Sequence, residues 1–452
     1  YLLESVEGQE KIARFSFIGF EPSSILSIEG TKLRIQGRPA CRPPAGEAGQ
    51  GREIQTDNPF SEIKRFMSAY RFVEVKGAPR FCGGLVGYLG YDFVRFFENI
   101  PDKNPAHYAM PDALFLLSDT LVMFDHLKHS LKIISSAFVK DKKPTTIRDA
   151  YKKSVVRIEA IIKKLKKPII KAPSLEPGKK VVKVKAFTAK KDFIRMVEKA
   201  KRHIRKGDAI QVVLSQIFSS KPARPPFSIY RNLRNLNPSA YMFYLKFKDL
   251  HLIGSSPEML VRCEDKIVTS RPIAGTRPRG ASEAEDRMLE KELLNDPKER
   301  AEHIMLVDLG RNDLGRVCKY GSIKLSEFMR IERYSHVMHI VSEIQGRLKA
   351  GKDIYDVLEA AFPAGTVTGS PKVRAMEIID ELESFRRGPY AGAVGYFGFS
   401  GNLDTCITIR TIVINKNTAY IQAGAGIVAD SQPEREYQET LNKAKAQLEA
   451  IS

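Results

Sequence analysis

The segments that resemble strands and those that resemble helices follow one another in blocks, and this order constrains the fold more than any other feature. Near the C-terminus a helical pattern at 371–383 precedes three consecutive strand-like segments at 392–399, 405–414 and 418–423, and a last helical pattern covers 433–450. Strict alternation of strands and helices would indicate a doubly wound parallel sheet. Blocks of each kind instead predict an α+β chain.

Changes in composition suggest two regions joined by a linker. The stretch 167–180 is rich in proline and lysine and is the predicted linker. Residues 1–180 form an N-terminal region of short segments in which apolar and polar residues alternate, with a Pro- and Gly-rich loop at 38–52. Residues 181–452 form the second region, in which helices and longer strands are mixed.

The net charge of +20 is concentrated in one stretch. Residues 151–191 hold 14 Lys or Arg against two glutamates. Apolar residues recur at helical spacing within 151–167, so we expect an amphipathic helix with a solvated basic face. A nucleic-acid-binding surface is the alternative. It is disfavoured because aromatic residues that could stack on bases are missing among the lysines.

Composition also restricts the cellular setting. The five cysteines are widely spaced and form no Cys-x-x-Cys pair, which argues against a disulfide framework or a zinc cluster and favours a reducing cytoplasm. No apolar run approaches the roughly 18 residues that a membrane-spanning helix requires. We therefore expect a cytoplasmic protein that does not insert into a membrane.

Two pairs of glutamates are candidates for a metal site. Glu299 and Glu302 are three residues apart on one predicted helix, and Glu436 and Glu439 have the same spacing on another, so each pair lies on one helix face. Magnesium takes oxygen ligands and needs only one or two carboxylates from the protein. The alternative is that these glutamates only favour the helix dipole near an N-terminus.

Two loops of small residues are candidates for anion binding. One spans 422–426 before the last helix, and the other spans 364–372 and runs into the helix after it. Free backbone N–H groups in such loops bind carboxylates or phosphates. Neither loop has the spacing of a nucleotide-binding motif. Tight turns required only by backbone geometry remain the alternative.

Arg410 and two histidines are further candidates. A strand through 404–414 would place Arg410 in apolar surroundings, where it needs an anionic partner, either a substrate carboxylate or a structural acidic residue. His336 and His339 could act as ligands or as acid and base groups, or they could be structural.

Taken together, these segments resemble the chorismate-utilising enzymes. The resemblance covers about 181–451 and extends more weakly to Leu2-Leu3-Glu4-Ser5. It rests on the motifs GSSPE (254–258), RPIAGTRPRG (271–280), ERAEHIMLVD (299–308) with RND (311–313), FPAGTVTGSPK (362–372), DTCI (404–407) and QAGAGI (422–427). The fold it implies is a sandwich of antiparallel sheets flanked by helices, with a chorismate-binding catalytic domain at 181–452.

The resemblance also implies roles for individual residues. It makes Glu258 the general acid for the departing 4-hydroxyl and sets His339 and Thr366 over the reacting ring. The implied Mg²⁺ ligands are Glu302 and Glu439, with Glu299 and Glu436 in support. The implied substrate contacts are Ala274, Gly275, Thr276, Tyr390, Arg410, Gly424, Ala425 and Gly426.

Within the family, the chain is similar to the members that aminate chorismate. They add ammonia at C2, lose the 4-hydroxyl and eliminate pyruvate to give anthranilate for tryptophan biosynthesis. Isochorismate-forming relatives carry a lysine base where this chain has Gln211, and aminodeoxychorismate synthases carry a nucleophilic lysine where it has Ala274. Both alternatives are therefore disfavoured, as is a non-enzymatic nucleic-acid-binding homologue.

The resemblance implies partners as well. Ammonia must arrive unprotonated, so a separate glutamine amidotransferase subunit is expected to supply it in a hetero-oligomer. Tryptophan is expected to inhibit by binding between the two regions. The implied contacts are Leu3, Glu4, Ser5, Ala240, Tyr241 and Met242. Ala240 stands where relatives often have proline, so this loop lacks a fixed φ and weaker binding of tryptophan than in those relatives is expected.

Overall fold

The computed structural model describes residues 1–6, 14–37, 51–168, 182–334 and 337–452. Most of the loop at 38–52, most of the linker at 167–180 and His336 therefore lie outside the described residues. The strands are β1 (Leu2–Glu4), β2 (Phe15–Gly19), β3 (Ser24–Glu29), β4 (Lys32–Gly37), β5 (Arg52–Gln55), β6 (Gly84–Leu89), β7 (Ala113–Ser118), β8 (Thr120–Asp125), β9 (Ser130–Ser135), β10 (Lys185–Ala186), β11 (Gln211–Ser220), β12 (Tyr241–Phe247), β13 (Leu250–Ser256), β14 (Met259–Glu264), β15 (Ile267–Ser270), β16 (Ile273–Pro278), β17 (Lys324–Arg333), β18 (Val337–Arg347), β19 (Gly369–Ser370), β20 (Ala393–Gly398), β21 (Leu403–Ile407), β22 (Thr411–Asn415) and β23 (Thr418–Ile427).

The helices are α1 (Pro59–Ser68), α2 (Pro144–Leu165), α3 (Lys190–Arg205), α4 (Pro226–Leu236), α5 (Glu283–Asn295), α6 (Pro297–Gly315), α7 (Ile354–Ala361), α8 (Lys372–Leu382) and α9 (Pro433–Ala450). Short 3₁₀ helices span Tyr91–Phe96 and Gly365–Val367.

The described strands form two antiparallel sheets. The first has the order β10-β11-β23-β22-β13-β12-β1-β2-β8-β9, with β19 beside β11. The second has the order β16-β18-β15-β14-β21-β20-β6-β7-β3-β4-β5, with β17 beside β18. Both sheets therefore combine strands from either side of residue 180. The division into regions 1–180 and 181–452 stays a prediction.

The two sheets pack face to face over an apolar core. Phe243 of β12 and Val413 of β22 come from the first sheet, whereas Tyr88 of β6 and Tyr396 of β20 come from the second, and all four are buried in one cluster. Burying a side chain of this size contributes roughly 1.5–3 kcal/mol. The expected sandwich of antiparallel sheets is confirmed.

Helices cover the outer faces of both sheets. Helices α3 and α8 bury apolar side chains against β11 and β23 of the first sheet, and α4 and α9 pack further along it. Apolar side chains of α1, α6 and α7 bury in a single cluster with the second sheet. The expected α+β class is thus confirmed, and the starts of α6 and α9, which carry the glutamate pairs, belong to different layers.

One expected element proved to be two. The sequence predicts a continuous strand at 404–414, but β21 ends at Ile407 in the second sheet and β22 begins at Thr411 in the first. The Ile409 N–H donates to the Ile407 carbonyl at 2.9 Å, and Arg410 has a φ of +52°. This turn passes the chain from one sheet to the other, so the prediction of a single strand through 404–414 was wrong.

The lysine-rich segment forms α2, as its spacing predicts. Only Ser154 and Ile161 of this helix are buried, and Val156 is 63% exposed. None of the helices in the described ranges is both long enough and apolar enough to cross a membrane.

Candidate active site

A cavity of about 220 Å³ opens where the two sheets meet α6 and α9. Eleven of the expected site residues line it: Gln211, Glu258, Ala274, Thr276, Glu302, His339, Thr366, Tyr390, Arg410, Gly424 and Gly426. They come from elements far apart in the chain. The fold therefore gathers most of the residues that the motifs singled out.

Glycines of β23 form one wall of this cavity. Antiparallel pairing sets Gly426 opposite Val213 and Gly424 opposite Ser215 of β11. A Cβ on Gly424 would lie 2.6 Å from the Tyr390 hydroxyl, and a Cβ on Gly426 would lie 2.8 Å from Gln211 Nε2. Ala425 points to the opposite side and packs in the core beneath α3 and α8. A side chain at 424 would collide with the Tyr390 hydroxyl and with the Leu214 carbonyl, so that position requires glycine, whereas one at 426 would displace the end of the Gln211 side chain.

Gln211 and Glu302 meet across the cavity. Gln211 Nε2 donates to Glu302 Oε1 at 3.2 Å, which joins the start of β11 to the second turn of α6. Gln211 is buried. An amide is not basic, so this contact orients the carboxylate without accepting a proton from it.

Glu258 is a buried carboxyl group beside the 3₁₀ turn that carries Thr366. It lies between β13 and β14 with 9% of its surface exposed. Burial raises the pKa of Glu258 to about 7, and the nearby Thr366 hydroxyl and Lys443 ammonium oppose this rise. A carboxyl group with such a pKa is partly protonated near neutral pH and can donate a proton.

His339 is held by the backbone of the opposite strand. Its Nδ1 lies 2.9 Å from the Gly275 carbonyl and 3.1 Å from Thr276 Oγ1. Gly275 sits at a bulge in β16 with a φ of +69°, a conformation that favours glycine. Burial lowers the pKa of His339. Because Nδ1 faces a carbonyl, it carries the proton of the neutral ring, and Nε2 is left as an acceptor.

Arg410 extends into the cavity from the turn between β21 and β22. It donates to the Lys443 carbonyl through Nη1 at 2.6 Å. Burial lowers the pKa of Arg410, while Tyr390 and Glu439 oppose this effect. Within the described ranges it forms no ion pair with a carboxylate. A guanidinium in this position can accept an anionic ligand.

Glu302 is the one expected metal ligand that lines the cavity, whereas Glu299, Glu436 and Glu439 lie outside its lining, on the first two turns of α6 and α9. Burial and then the charge of Glu302 raise the pKa of Glu299, and burial also raises the pKa of Glu436, to which the charge of Glu439 adds. Lys298, at the start of α6, acts electrostatically on Glu436 in α9, so the two helix starts face each other.

A magnesium ion fits this donor set. All four groups supply oxygen, and a bound cation would relieve their mutual repulsion. No three His, Cys, Asp or Glu side chains converge as a ready-made metal cage in the part of the chain that the structure describes. The groups present suit a cation that retains water and substrate among its ligands.

A second cavity of about 60 Å³ lies between the two sheets, with β1 and β12 on one side and β14, β20 and β21 on the other. All six expected inhibitor contacts line it: Leu3, Glu4, Ser5, Ala240, Tyr241 and Met242. The Tyr241 hydroxyl donates to Asp404 Oδ1 at 3.0 Å, and Arg262 pairs with Asp404 at 2.9 Å. Arg234 and Tyr230 hold the Glu4 carboxylate. Charged and apolar groups thus surround a small enclosed space.

Sequence reasoning missed Lys443. This residue lines the main cavity, donates to the Gly424 carbonyl at 3.1 Å and pairs with Glu439 at 2.5 Å. Its position four residues after Glu439 on the predicted last helix was the available signal, because residues with this spacing share a helix face.

Comparisons with known proteins agree with these observations. A family model described as chorismate binding enzyme matches residues 13–449. The chain is 49% identical over 456 residues to anthranilate synthase component 1 of Acetivibrio thermocellus, covering 100% of this chain and 90% of that protein. It is 48% identical over 453 residues to the protein of the same name in Aquifex aeolicus, covering 100% and 88%.

Solved structures give the same picture. Anthranilate synthase component I from Streptococcus pneumoniae superposes with a TM-score of 0.83 at 36% identity, covering 98% of this chain and 95% of that one. A menaquinone-specific isochorismate synthase from Escherichia coli superposes with a TM-score of 0.69 at 21% identity, covering 97% and 94%. The second likeness concerns the fold alone.

Proposed function

The chain belongs to the family of chorismate binding enzymes, and from this premise we propose that it works as the aminating component of an anthranilate synthase. It converts chorismate and ammonia into anthranilate and pyruvate. The observation that carries this proposal is Arg410, a cavity-lining guanidinium without a carboxylate partner among the described residues. Chorismate is a dicarboxylate and supplies that partner.

Substrate binding follows from the cavity walls. Arg410 and the Tyr390 hydroxyl hold one carboxylate, and the backbone around Gly424 and Gly426 allows the ligand to approach closely. Tyr390 stays protonated because burial raises its pKa to about 12, so its hydroxyl remains a donor. Gly275, Thr276 and the small Ala274 side chain bound the ring on the opposite side, and the Ala425 backbone continues the wall.

The first chemical step joins ammonia to the ring. The nitrogen lone pair forms a bond to C2, the ring double bonds shift, and the C4–O bond breaks. Glu258 gives its proton to the departing oxygen, which leaves as water. Isochorismate-forming relatives carry a lysine that activates water at the position of Gln211. The amide of Gln211 cannot accept a proton from water, so ammonia is the nucleophile in this chain.

The second step releases pyruvate. Neutral His339 accepts the C2 proton at Nε2, the bond between ring C3 and the ether oxygen breaks, and the ring becomes aromatic. The departing enolate takes up a proton at its methylene carbon, which gives pyruvate and returns His339 to its neutral form. The Thr366 hydroxyl lines the same cavity as Glu258 and His339 and is a polar contact for the ring.

Magnesium is the proposed cofactor. Glu302 and Glu439 would hold it, supported by Glu299 and Glu436, and the ion would supply charge neutralisation at a substrate carboxylate. The protein's own contribution is to set one pair of carboxylates on the first two turns of α6 and the other on the first two turns of α9.

The proposed partner is a glutamine amidotransferase subunit. The relatives are named component 1, which implies a second component. Ammonium has no lone pair, so an enclosed supply of ammonia within a hetero-oligomer suits the first step.

Tryptophan is the proposed inhibitor at the second cavity. Leu3, Ser5, Ala240 and Met242 would surround the indole. Glu4 would face the ammonium group and would share its carboxylate with Arg234 and Tyr230, which already contact it. Asp404, also in this cavity, is paired with Arg262.

The test is anthranilate fluorescence from chorismate, Mg²⁺ and ammonium salt at a pH of about 8.5, without a second subunit. Arg410→Gln should lower kcat/KM about 10- to 100-fold, because a hydrogen bond to a charged group contributes roughly 1.5–3 kcal/mol. Arg14→Gln is the matched control, since Arg14 pairs with Asp125 away from the cavity. A wild-type protein that yields no fluorescent product would refute the proposed function.

A further inference from the structure

A buried ion pair lies directly behind the cavity. Arg387 is only 1% exposed, and Glu383, one helical turn earlier in sequence, is also buried. Arg387 Nε donates to Glu383 Oε2 at 2.9 Å, and Arg387 Nη2 donates to Glu383 Oε1 at 2.6 Å. This two-point contact fixes the plane of the guanidinium.

The remaining donors of Arg387 hold two walls of the cavity. Nη2 donates to the Val213 carbonyl of β11, and Nη1 donates to the Val367 carbonyl beside Thr366, each at 2.7 Å. Both valines line the cavity. The guanidinium carbon also lies 5.6 Å from the centre of the Tyr390 ring. One side chain thus contacts three cavity-lining residues from behind.

Glu383 extends the network to a fourth cavity residue. Its Oε1 accepts from the backbone N–H and the hydroxyl of Ser215, both at 2.8 Å. The Ser215 hydroxyl in turn accepts from Gln422 Nε2 at 2.9 Å. Gln422 lines the cavity, whereas Ser215 does not.

We infer that Arg387 and Glu383 form a positioning pair that fixes the shape of the substrate cavity without touching the substrate. Removing two charges from water is costly, and an apolar pair of similar size often stabilises a fold as well. An apolar pair could not form hydrogen bonds to the Val213 and Val367 carbonyls or to Ser215, so it could not fix the positions of these groups relative to one another. The inference rests on the proposed function, because it concerns binding of the same substrate.

The expected consequence is kinetic. A misplacement of about 1 Å in a preorganised site can cost roughly 100-fold in rate. Thr366 is adjacent to Val367, and Tyr390 is a proposed substrate contact, so replacing Arg387 should affect both binding and turnover. Removing only the link from Glu383 through Ser215 to Gln422 should affect mainly binding.

The first test compares two buried serines of β11. Ser215→Ala removes the link between Glu383 and Gln422, whereas Ser220→Ala removes a hydrogen bond to the Lys183 carbonyl at the other end of the same strand. Melting temperatures should fall by similar amounts. We expect Ser215→Ala to raise KM for chorismate at least threefold with kcat within twofold of wild type. Ser220→Ala should leave both constants unchanged.

The second test replaces the arginine itself. Arg387→Lys keeps the charge but cannot reach Glu383 and both carbonyls at once, so kcat/KM should fall at least tenfold at a temperature well below melting. Arg14→Lys is the control for a two-point arginine–carboxylate pair away from the cavity. If Arg387→Lys does not fold, Ser215→Ala decides alone.

A kcat/KM within twofold of wild type in Ser215→Ala, or in folded Arg387→Lys, would overturn the inference. Calorimetric titration with chorismate separates this result from a failure of the proposed function. If the wild type binds chorismate but makes no anthranilate, the proposed function fails. The role of the pair is then decided by the Kd for chorismate, and a Kd within twofold of wild type in these variants would overturn the inference.

Discussion

Replacing Glu258 with glutamine should stabilise the folded protein at alkaline pH while it removes activity. The pKa of this carboxyl group rises from 4.5 to about 7 on folding because of burial. A pKa raised in the folded state gives a contribution that is fully present below about pH 4.5 and is lost as the pH rises through 7. At 1.36 kcal/mol per pKa unit, the loss is about 3 kcal/mol.

Glu258→Gln keeps the shape of the side chain but cannot ionise, so it avoids this loss. The free energy of unfolding, measured by urea denaturation at pH 5 and pH 8.5, should fall less for the variant than for wild type, by about 2.5 kcal/mol, because part of the loss has already occurred at pH 5. Comparing the two proteins cancels the titration of other groups. Glu74→Gln, at an exposed position, is the control and should follow wild type. If the free energy of unfolding depends on pH in the same way for Glu258→Gln and wild type, folding does not raise the pKa of this carboxyl group, and the reasoning is refuted.

The activity of the same variant completes the argument. Loss of a general acid typically costs 10²–10⁴ in rate. For wild type at a constant concentration of free ammonia, the rate should decline by about tenfold per pH unit well above 7, because the protonated fraction of Glu258 declines in this way. A variant that is more stable at pH 8.5 and inactive would show that burial of this carboxyl group serves chemistry at the expense of stability.

Three further predictions concern the metal, the nucleophile and the inhibitor. Glu302→Ala or Glu439→Ala should abolish turnover at ordinary Mg²⁺ with little change in melting temperature, and unchanged rates in both would move the metal elsewhere. Gln211→Lys should yield some isochorismate, detected by chromatography of the products, if burial frees the lysine lone pair; anthranilate alone at the wild-type rate would contradict this. Ser5→Phe should weaken tryptophan inhibition at least tenfold at subsaturating chorismate without changing the uninhibited rate, and superimposable inhibition curves would remove Ser5 from the site.

The elements that the sequence predicts well are those in which local pattern and tertiary environment agree. The apolar spacing and the flanking proline of the last helix predict 433–450, and α9 spans Pro433–Ala450. The helical pattern at 371–383 is α8, which spans Lys372–Leu382. The motifs predicted more of the candidate site than the apolar and polar patterns did. A pattern reports only the local structure of a segment, whereas the residues of the site come from distant segments and meet only after folding.

Elsewhere the local signal was overridden. The glycines after Ala423 predict the end of a strand, but β23 continues to Ile427 because Gly424 and Gly426 pair with β11 and leave room for the cavity. The positioning role of Arg387 was beyond any local pattern, since its partners on β11 and at Val367 are distant in sequence.

The strand that proved to be two elements also explains how the two cavities can influence each other. Asp404, at the start of β21, accepts a hydrogen bond from Tyr241 in the smaller cavity. Further along, the Ile407 N–H donates to the carbonyl of Glu258 at 3.0 Å, and Arg410 enters the larger cavity six residues after Asp404. A ligand that shifts β21 therefore moves an acid and a carboxylate-binding group together. A coupling of about 1–3 kcal/mol is typical between linked sites, and it requires only that the crossing between the sheets have two arrangements of unequal affinity for the substrate.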